Sequence, residues 1–431
     1  MSATLAIHGG TPVRSQPFPP QATIGEEERC AVLEVLESGV LSQFLGEWSE
    51  DFMGGPRVLA CEQAFAQRLG AEHAVAVNSA TTGLHVALAA AGIGPGDEVI
   101  VSPYTMSASA AVIILQNAIP VFADIEDETF GLDPASVEER VTERTRAVMV
   151  THLFGHPARM DGLLEVARRH DLAIVEDAAQ SIGATWDGRQ TGTLGAAGVL
   201  SLNYHKIVHS GEGGILLTDD PQIAMRARLS RNHGEVVVEK TDLPDIVNTI
   251  GSNFRMTEID AAIAMTQLGK LDGLLVQRRK IASYLIERLE GLAGIEPPVV
   301  RDNSTHSFYV FPMKVELEEL DGVERQDVAR ALAAEGVPVS EGYVRPLYLQ
   351  PMYQQRIARG DRGCPWTCGH WNGHVSYEPG ICPVTERLYE RELMLADVCR
   401  HPLTLDDARD VADAFEKVLT NVAALREGRT E

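Results

Sequence analysis

The setting of one lysine is unusual. In SLNYHKIVHSGEGG, Lys206 follows an apolar run and precedes a glycine-rich turn, so a rigid element positions an amine that is still free to reach a ligand. Twenty-nine residues earlier, the apolar run 172–175 leads straight into Glu176 and Asp177. An acid at the carboxyl end of a parallel strand faces the crevice where open α/β sheets bind ligands. A third element is Asn78-Ser79-Ala80-Thr81-Thr82-Gly83, between a strand-like run and an amphipathic run. Unpaired N–H groups and hydroxyls at a helix N-terminus make a phosphate site. Each has an ordinary reading on its own: a solvated lysine, an N-capping acid, a capping Ser/Thr cluster. Together they supply an amine for a Schiff base, an acid for a protonated pyridine nitrogen and a phosphate cradle. That combination suits pyridoxal phosphate, whose protonated ring is an electron sink.

Positioning these groups requires a sizeable core. The chain has 431 residues, 45% of them hydrophobic, which is too apolar for disorder and too long for one ordinary core. Against 37 basic residues stand 61 acidic ones, a formal net charge of −24 that opposes nucleic acid and anionic membrane as partners. The start MSATLAIHGG lacks the basic and apolar regions of a secretion signal, and no apolar run nears the ~18 residues that span a bilayer. A soluble, cytoplasmic protein is expected. Six cysteines are too few for a disulfide framework and are expected to be reduced.

From about residue 58 to 220, helix-like stretches alternate with strand-sized runs at 74–77, 98–102, 120–124, 147–152, 173–176, 198–202 and 214–218. The alternation predicts a mostly parallel, two-sided sheet. Leu84, Ala87, Leu88 and Ala91 form one helical stripe, and Leu163, Val166 and Ala167 another. Thr257 with Asp260 resembles a capping box, after which Ala261, Met265, Leu268, Leu271 and Leu275 continue at helical spacing. Beyond about residue 278 we expect a second helix through Ile281, Leu285 and Leu289, a strand over 307–315, a helix near 328–335 and a final helix from 404 to about 426. The fold class is therefore α/β, with a large domain over 1–275, including an N-terminal arm, and a smaller C-terminal α+β domain over 276–431. Residues 355–383 read as an irregular insertion.

The ordered segments GGPRVLACEQAFAQRLG, VNSATTGLHVAL, GIGPGDEVIVSPYT, HLFGHPARMD, VEDAAQSIGA, SLNYHKIVHSGEGG, RNHG and NFRMTEIDAAIAMTQLGKLD cover nearly the whole chain. Through them it resembles the DegT/DnrJ/EryC1/StrS family, fold-type I pyridoxal phosphate aminotransferases that aminate keto-sugars and keto-cyclitols. The resemblance implies that Lys206 holds pyridoxal 5'-phosphate covalently and moves the proton during transfer. It implies that Asp177 pairs with the pyridine nitrogen and Gln180 supports the phenolic oxygen, while the Ala80 backbone, Thr81 and Ser201 hold the phosphate. Asn253 of the NFR motif would reach the phosphate of a neighbouring subunit, making a homodimer with shared sites. The amino donor would be glutamate or glutamine. The family commonly places an aromatic ring where Met106 stands, so either Met106 packs on the cofactor or Tyr104 does.

Two other readings use the same constellation or none of it. An aminating, aromatising enzyme of the aminohydroxybenzoate or aminobenzoate type would act on a cyclic keto acid, and a silent cofactor-binding regulatory protein would not act at all. A dehydratase of this superfamily typically carries histidine in place of Lys206. No metal is expected: Cys364, Cys368, His370, His374 and Cys382 are irregularly spaced for zinc, and with Trp366 and Trp371 are expected to pack the insertion near the site mouth. His152, His156, His205, His209 and His233 are read as structural. Arg231, Tyr343 and Arg345 are candidates for anionic substrate groups.

Overall fold

A computed structural model describes residues 4–241, 248–320 and 322–427. All seven strand-sized runs join one sheet: β1 (His73–Val77), β2 (Glu98–Val101), β3 (Ile119–Phe122), β4 (Thr145–Thr151), β5 (Ala173–Asp177), β6 (Ala197–Ser201) and β7 (Gly214–Thr218). Their spatial order is β1-β7-β6-β5-β4-β2-β3. Only β7 runs antiparallel to its neighbours, so the sheet is mostly parallel. Both faces are covered, and the strand side chains divide between them with a period of two. On β1, Val75 packs with Leu84 and Leu88 on one face, while Ala74 and Ala76 pack with Phe65 and Leu268 on the other.

The helices of this part of the chain are α1 (Glu26–Ser38), which packs on α8, and α2 (Pro56–Leu69), α3 (Ala80–Ala90), α4 (Ala108–Leu115), α5 (Pro134–Arg140), α6 (Met160–His170), α7 (Pro221–Arg231) and α8 (Glu258–Leu289). Thr257 caps α8 by accepting from the Asp260 N–H at 3.1 Å. The two helices expected on either side of residue 278 are one helix of 32 residues. Nothing between them breaks the apolar periodicity: Leu268 and Leu271 lie in a core of the large sheet, and Ile281, Leu285 and Leu289 in the C-terminal core. The seam expected at 275/276 thus falls inside α8, and Leu5 near the N-terminus packs in the C-terminal core.

That second core backs a four-stranded antiparallel sheet in the order Ile295–Glu296, Phe311–Val315, Leu393–Ala396, Ser340–Glu341. The strand expected over 307–315 begins only at Phe311, because Phe308 sits in the left-handed region at φ 49° and turns the chain. The final helix is interrupted between Leu419 and Val422, where Thr420 and Asn421 hydrogen-bond back to the Glu416 and Lys417 carbonyls at 2.6 and 2.7 Å. No helix among the described residues is long and apolar enough to cross a membrane.

The irregular segment 355–383 lies along the outer edge of the large sheet rather than at the site mouth. Tyr377 donates to the Pro120 carbonyl of β3 at 2.8 Å, and Trp371 Nε1 to Glu98 of β2 at 2.8 Å. A sheet edge presents unpaired backbone groups, and Tyr377 satisfies one of them. Within it Cys364 and Cys368 are bonded to each other, their Cα atoms 5.6 Å apart, so the reduced state expected for all six cysteines describes only Cys30, Cys61, Cys382 and Cys399. Among the described residues no three His, Cys, Asp or Glu side chains gather as a metal would require.

Arg231 of the RNHG segment is a structural group, not a substrate ligand. It is fully buried at the end of α7, donating to Glu62 Oε1 at 2.5 Å, to the Ala76 carbonyl at 3.0 Å and to the Met53 carbonyl at 3.0 Å, with Phe44 under its guanidinium. Removing one partner of such a pair strands the other charge out of water. Glu62→Gln is therefore expected to cost about 3–5 kcal/mol of unfolding free energy, read by chemical denaturation. Glu62→Met combined with Arg231→Met is expected to cost less than Glu62→Gln alone.

Candidate active site

The carboxyl ends of β4, β5 and β6 open into a pocket closed on one side by the C-terminal domain. Of the eight site residues expected from sequence, Lys206, Asp177, Gln180 and Ser201 line it, as do Ala80, Thr81 and Met106. Asn253 does not; it is exposed, bridged to Asn232, outside the pocket of its own chain.

Lys206 is held by the turn that leaves β6. Its N–H donates to the Asn203 carbonyl at 2.9 Å, and its own carbonyl accepts from Gln21 of the N-terminal arm at 2.8 Å. The side chain is buried to 9% exposure, with Nζ 3.4 Å from the Tyr309 hydroxyl and 4.5 Å from the centre of that ring. Burial pushes the amine from 10.5 down to about 8, against an opposing pull from the Asp177 carboxylate. At neutral pH that raises the neutral, nucleophilic fraction by about two orders of magnitude.

Asp177 ends β5 one residue after Glu176, and alternation along the strand sends the two carboxylates to opposite faces. Asp177 accepts from the Ser109 hydroxyl of α4 at 2.6 Å and from the Ala179 N–H at 3.1 Å, which holds its carboxylate in one orientation. Gln180 is equally constrained. Its Oε1 accepts from the Phe154 N–H at 2.7 Å, so its Nε2 is the end that donates to the Tyr343 hydroxyl at 3.1 Å on the pocket side. Phe154 aims that N–H from a left-handed conformation at φ 58°.

The floor of the pocket is the N-terminus of α3. Ser79 caps the helix by accepting from the Thr82 N–H at 3.2 Å, which leaves the Ala80 and Thr81 N–H groups of the first turn without helical partners. Gly214 at the start of β7 lies against this turn, where a Cβ would meet Ala80 N at 2.7 Å. Only glycine permits that approach.

Met106 and Tyr104 differ in burial. Tyr104 is fully buried behind the pocket, its hydroxyl accepting from the Tyr343 N–H at 2.9 Å, whereas Met106 lines the pocket and is 55% exposed. Tyr309 was not foreseen from sequence. Arg278 and Arg279 on α8 hold its segment by donating to the Phe308 and His306 carbonyls at 2.8 and 3.0 Å, contacts invisible to spacing. Of the histidines, only His205 lines the pocket. His152 accepts at Nδ1 from the Ala158 N–H and therefore donates from Nε2 to Glu176 at 2.8 Å; His209 bonds Thr23 at 3.0 Å. Arg345 is exposed and does not line the pocket.

The chain is similar along its length to characterised proteins. It is 35% identical over 449 residues to an L-glutamine:2-deoxy-scyllo-inosose aminotransferase of Streptomyces kanamyceticus, covering 98% of this chain and 99% of that one. It is 37% identical over 343 residues to a GDP-perosamine synthase of Caulobacter vibrioides, covering 79% and 88%. Among solved structures, DesV of S. venezuelae in complex with a ketimine intermediate superimposes with a TM-score of 0.76 at 32% identity, over 91% of this chain and 94% of that one. The profile of the DegT/DnrJ/EryC1/StrS aminotransferase family matches residues 23–416. A buried amine, a braced acid and a bare helix N-terminus around one pocket are thus found in a chain that belongs to the DegT/DnrJ/EryC1/StrS aminotransferase family.

Proposed function

We propose that the pocket takes pyridoxal 5'-phosphate and that the protein transfers an amino group from glutamine or glutamate to a keto-sugar or keto-cyclitol. The observation that carries this reading is the pairing of one desolvated amine, Lys206, with one braced carboxylate, Asp177, in a single pocket. The residues present fit the cofactor. The N–H groups of Ala80 and Thr81, without helical partners, and the Ser201 hydroxyl suit its phosphate, and the buried Thr151 hydroxyl has no partner among the described residues. When bound, the cofactor supplies an electron sink that stabilises negative charge on the reacting carbon.

The rest is the work of this chain's own groups. Asp177 keeps a proton at the pyridine nitrogen, because its orientation is fixed by Ser109 and Ala179 before the ring arrives. Gln180 offers Nε2 to the phenolic oxygen, its other end being committed to Phe154. Lys206 serves as covalent anchor and then as the base that takes and returns the proton of the substrate carbon, a role that needs an amine neutral near physiological pH. Tyr309 gives that amine a hydroxyl and a ring face to rest against while it is detached. The acceptor class follows the relatives, which include an inosose aminotransferase and a perosamine synthase.

The partner is read as a second copy of the chain. Leu33, Leu36, Leu41 and Leu45 are exposed large apolar residues within one short stretch, more than a lone surface normally gathers there. Asn253, exposed and outside its own pocket, is the residue we expect the partner's phosphate site to receive.

Three outcomes test this reading. Wild type with pyridoxal phosphate is expected to develop a visible absorption band that glutamine or glutamate discharges. Lys206→Ala is expected to lack the band and to slow amino transfer about 10²–10⁴-fold; a wild type that forms no lysine-dependent band overturns the proposal. The rate at which apoprotein captures pyridoxal phosphate is expected to rise with pH and level off above about 8, as the Lys206 ammonium loses its proton. A capture rate still climbing steeply toward pH 10 would contradict the desolvated amine. Leu36→Glu with Leu45→Glu is expected to shift the sedimentation profile toward monomer and weaken cofactor retention.

A further inference from the structure

Thr151 ends β4, on the strand next to that of Asp177, and the parallel register sets the two residues side by side. Paired residues on neighbouring strands point to the same face of a sheet, so the Thr151 side chain shares the crevice of the Asp177 carboxylate. It lines the pocket at 3% exposure, and its Oγ1 has no hydrogen-bond partner among the described residues. Other buried hydroxyls nearby are paired: Ser109 with Asp177 at 2.6 Å, and Ser181 with Thr191 at 2.9 Å.

An unpaired buried hydroxyl destabilises the chain that carries it, and a valine would fill the same volume with equal or better strand propensity. The hydroxyl therefore has no use within the chain itself. Its use lies in what enters the pocket. Of the polar groups that the cofactor's ring carries, the nitrogen would be matched to Asp177, the aldehyde to Lys206 and the phosphate to the N-terminus of α3. The remaining polar atom is the phenolic oxygen, which has lone pairs enough for a second donor beside Gln180 Nε2.

We propose that Thr151 is a cofactor-binding residue whose Oγ1–H donates to the phenolic oxygen of pyridoxal 5'-phosphate. The inference rests on the reading of the pocket as a pyridoxal phosphate site, and the test separates the two.

The experiment compares wild type, Thr151→Val and Thr151→Ser, each stripped of cofactor and titrated with pyridoxal phosphate while protein fluorescence is followed. Thermal melting of the three apoproteins runs alongside. Thr151→Val is expected to raise the dissociation constant about five- to tenfold, the size of one hydrogen bond. Thr151→Ser is expected to stay within about twofold of wild type, because it keeps the hydroxyl. Apo Thr151→Val is expected to melt at or above wild type, since it loses an orphaned polar group. With 3-deoxypyridoxal phosphate, which lacks the phenolic oxygen, valine and threonine are expected to bind alike. Equal affinity of Thr151→Val and wild type for pyridoxal phosphate overturns the inference. So does an apo valine variant that melts several degrees lower, or a difference that persists with the deoxy analogue. A wild type that takes up no pyridoxal phosphate overturns the reading of the pocket, and Thr151 with it.

Discussion

The aim of the acid in the pocket depends on a second carboxylate that does not line it. Glu176 is fully buried, and a bare charge there would be prohibitively costly. It is satisfied by the N–H groups of Gly192, Leu194 and Gly195 at 2.6–2.7 Å and by His152 Nε2 at 2.8 Å. Four donors converging on one side chain clamp the end of β5 to the loop before β6 and to the end of β4. Because side chains alternate along a strand, fixing Glu176 on one face fixes Asp177 on the other. The acid in the pocket is thus aimed by the acid outside it.

A second constraint closes the site from above. The C-terminal domain reaches the pocket through Tyr309 and Tyr343, and α8 carries the connection without a break. Arg278 and Arg279 on that helix spend their donors on the carbonyls of Phe308, His306 and Gly183, which satisfies charge in a poorly hydrated seam and fixes the chain around Tyr309. Ser307 adds bonds to the Gly155 and Gln180 carbonyls at 3.3 and 3.2 Å. The two segments that flank the pocket, around Phe154 and Phe308, both adopt left-handed backbone at a bulky residue. Such strain persists only where surrounding bonds over-determine it, and it collects at functional sites.

The central sheet was legible because its strands are buried on both faces and so appear as short apolar runs between helical stripes. Lys206, Asp177 and the Ala80–Thr81 turn were legible for a related reason. Each sits at or a few residues beyond the end of one of those runs, where local pattern and position in the fold coincide. Arg231 was misread because an arginine in a polar tetrapeptide looks solvated, and only the packing of α7 against β1 and α3 brings it to Glu62. The 355–383 segment carried no periodicity from which to locate it. Its place on the sheet edge is set by single long-range bonds such as Tyr377 to Pro120.

What the sequence by itself determined is the alternation of elements and the chemical identity of the groups at strand ends and at one helix N-terminus, because periodicity and capping act over a few residues. Tertiary structure decided the rest. It decided how far Lys206 is desolvated, which end of Gln180 faces the pocket, that Met106 rather than Tyr104 lines it, and that the Thr151 hydroxyl is left without a partner among the described residues. Each of these depends on atoms distant in sequence, so solvent exclusion and hydrogen-bond geometry settle them only once the chain has closed around the site.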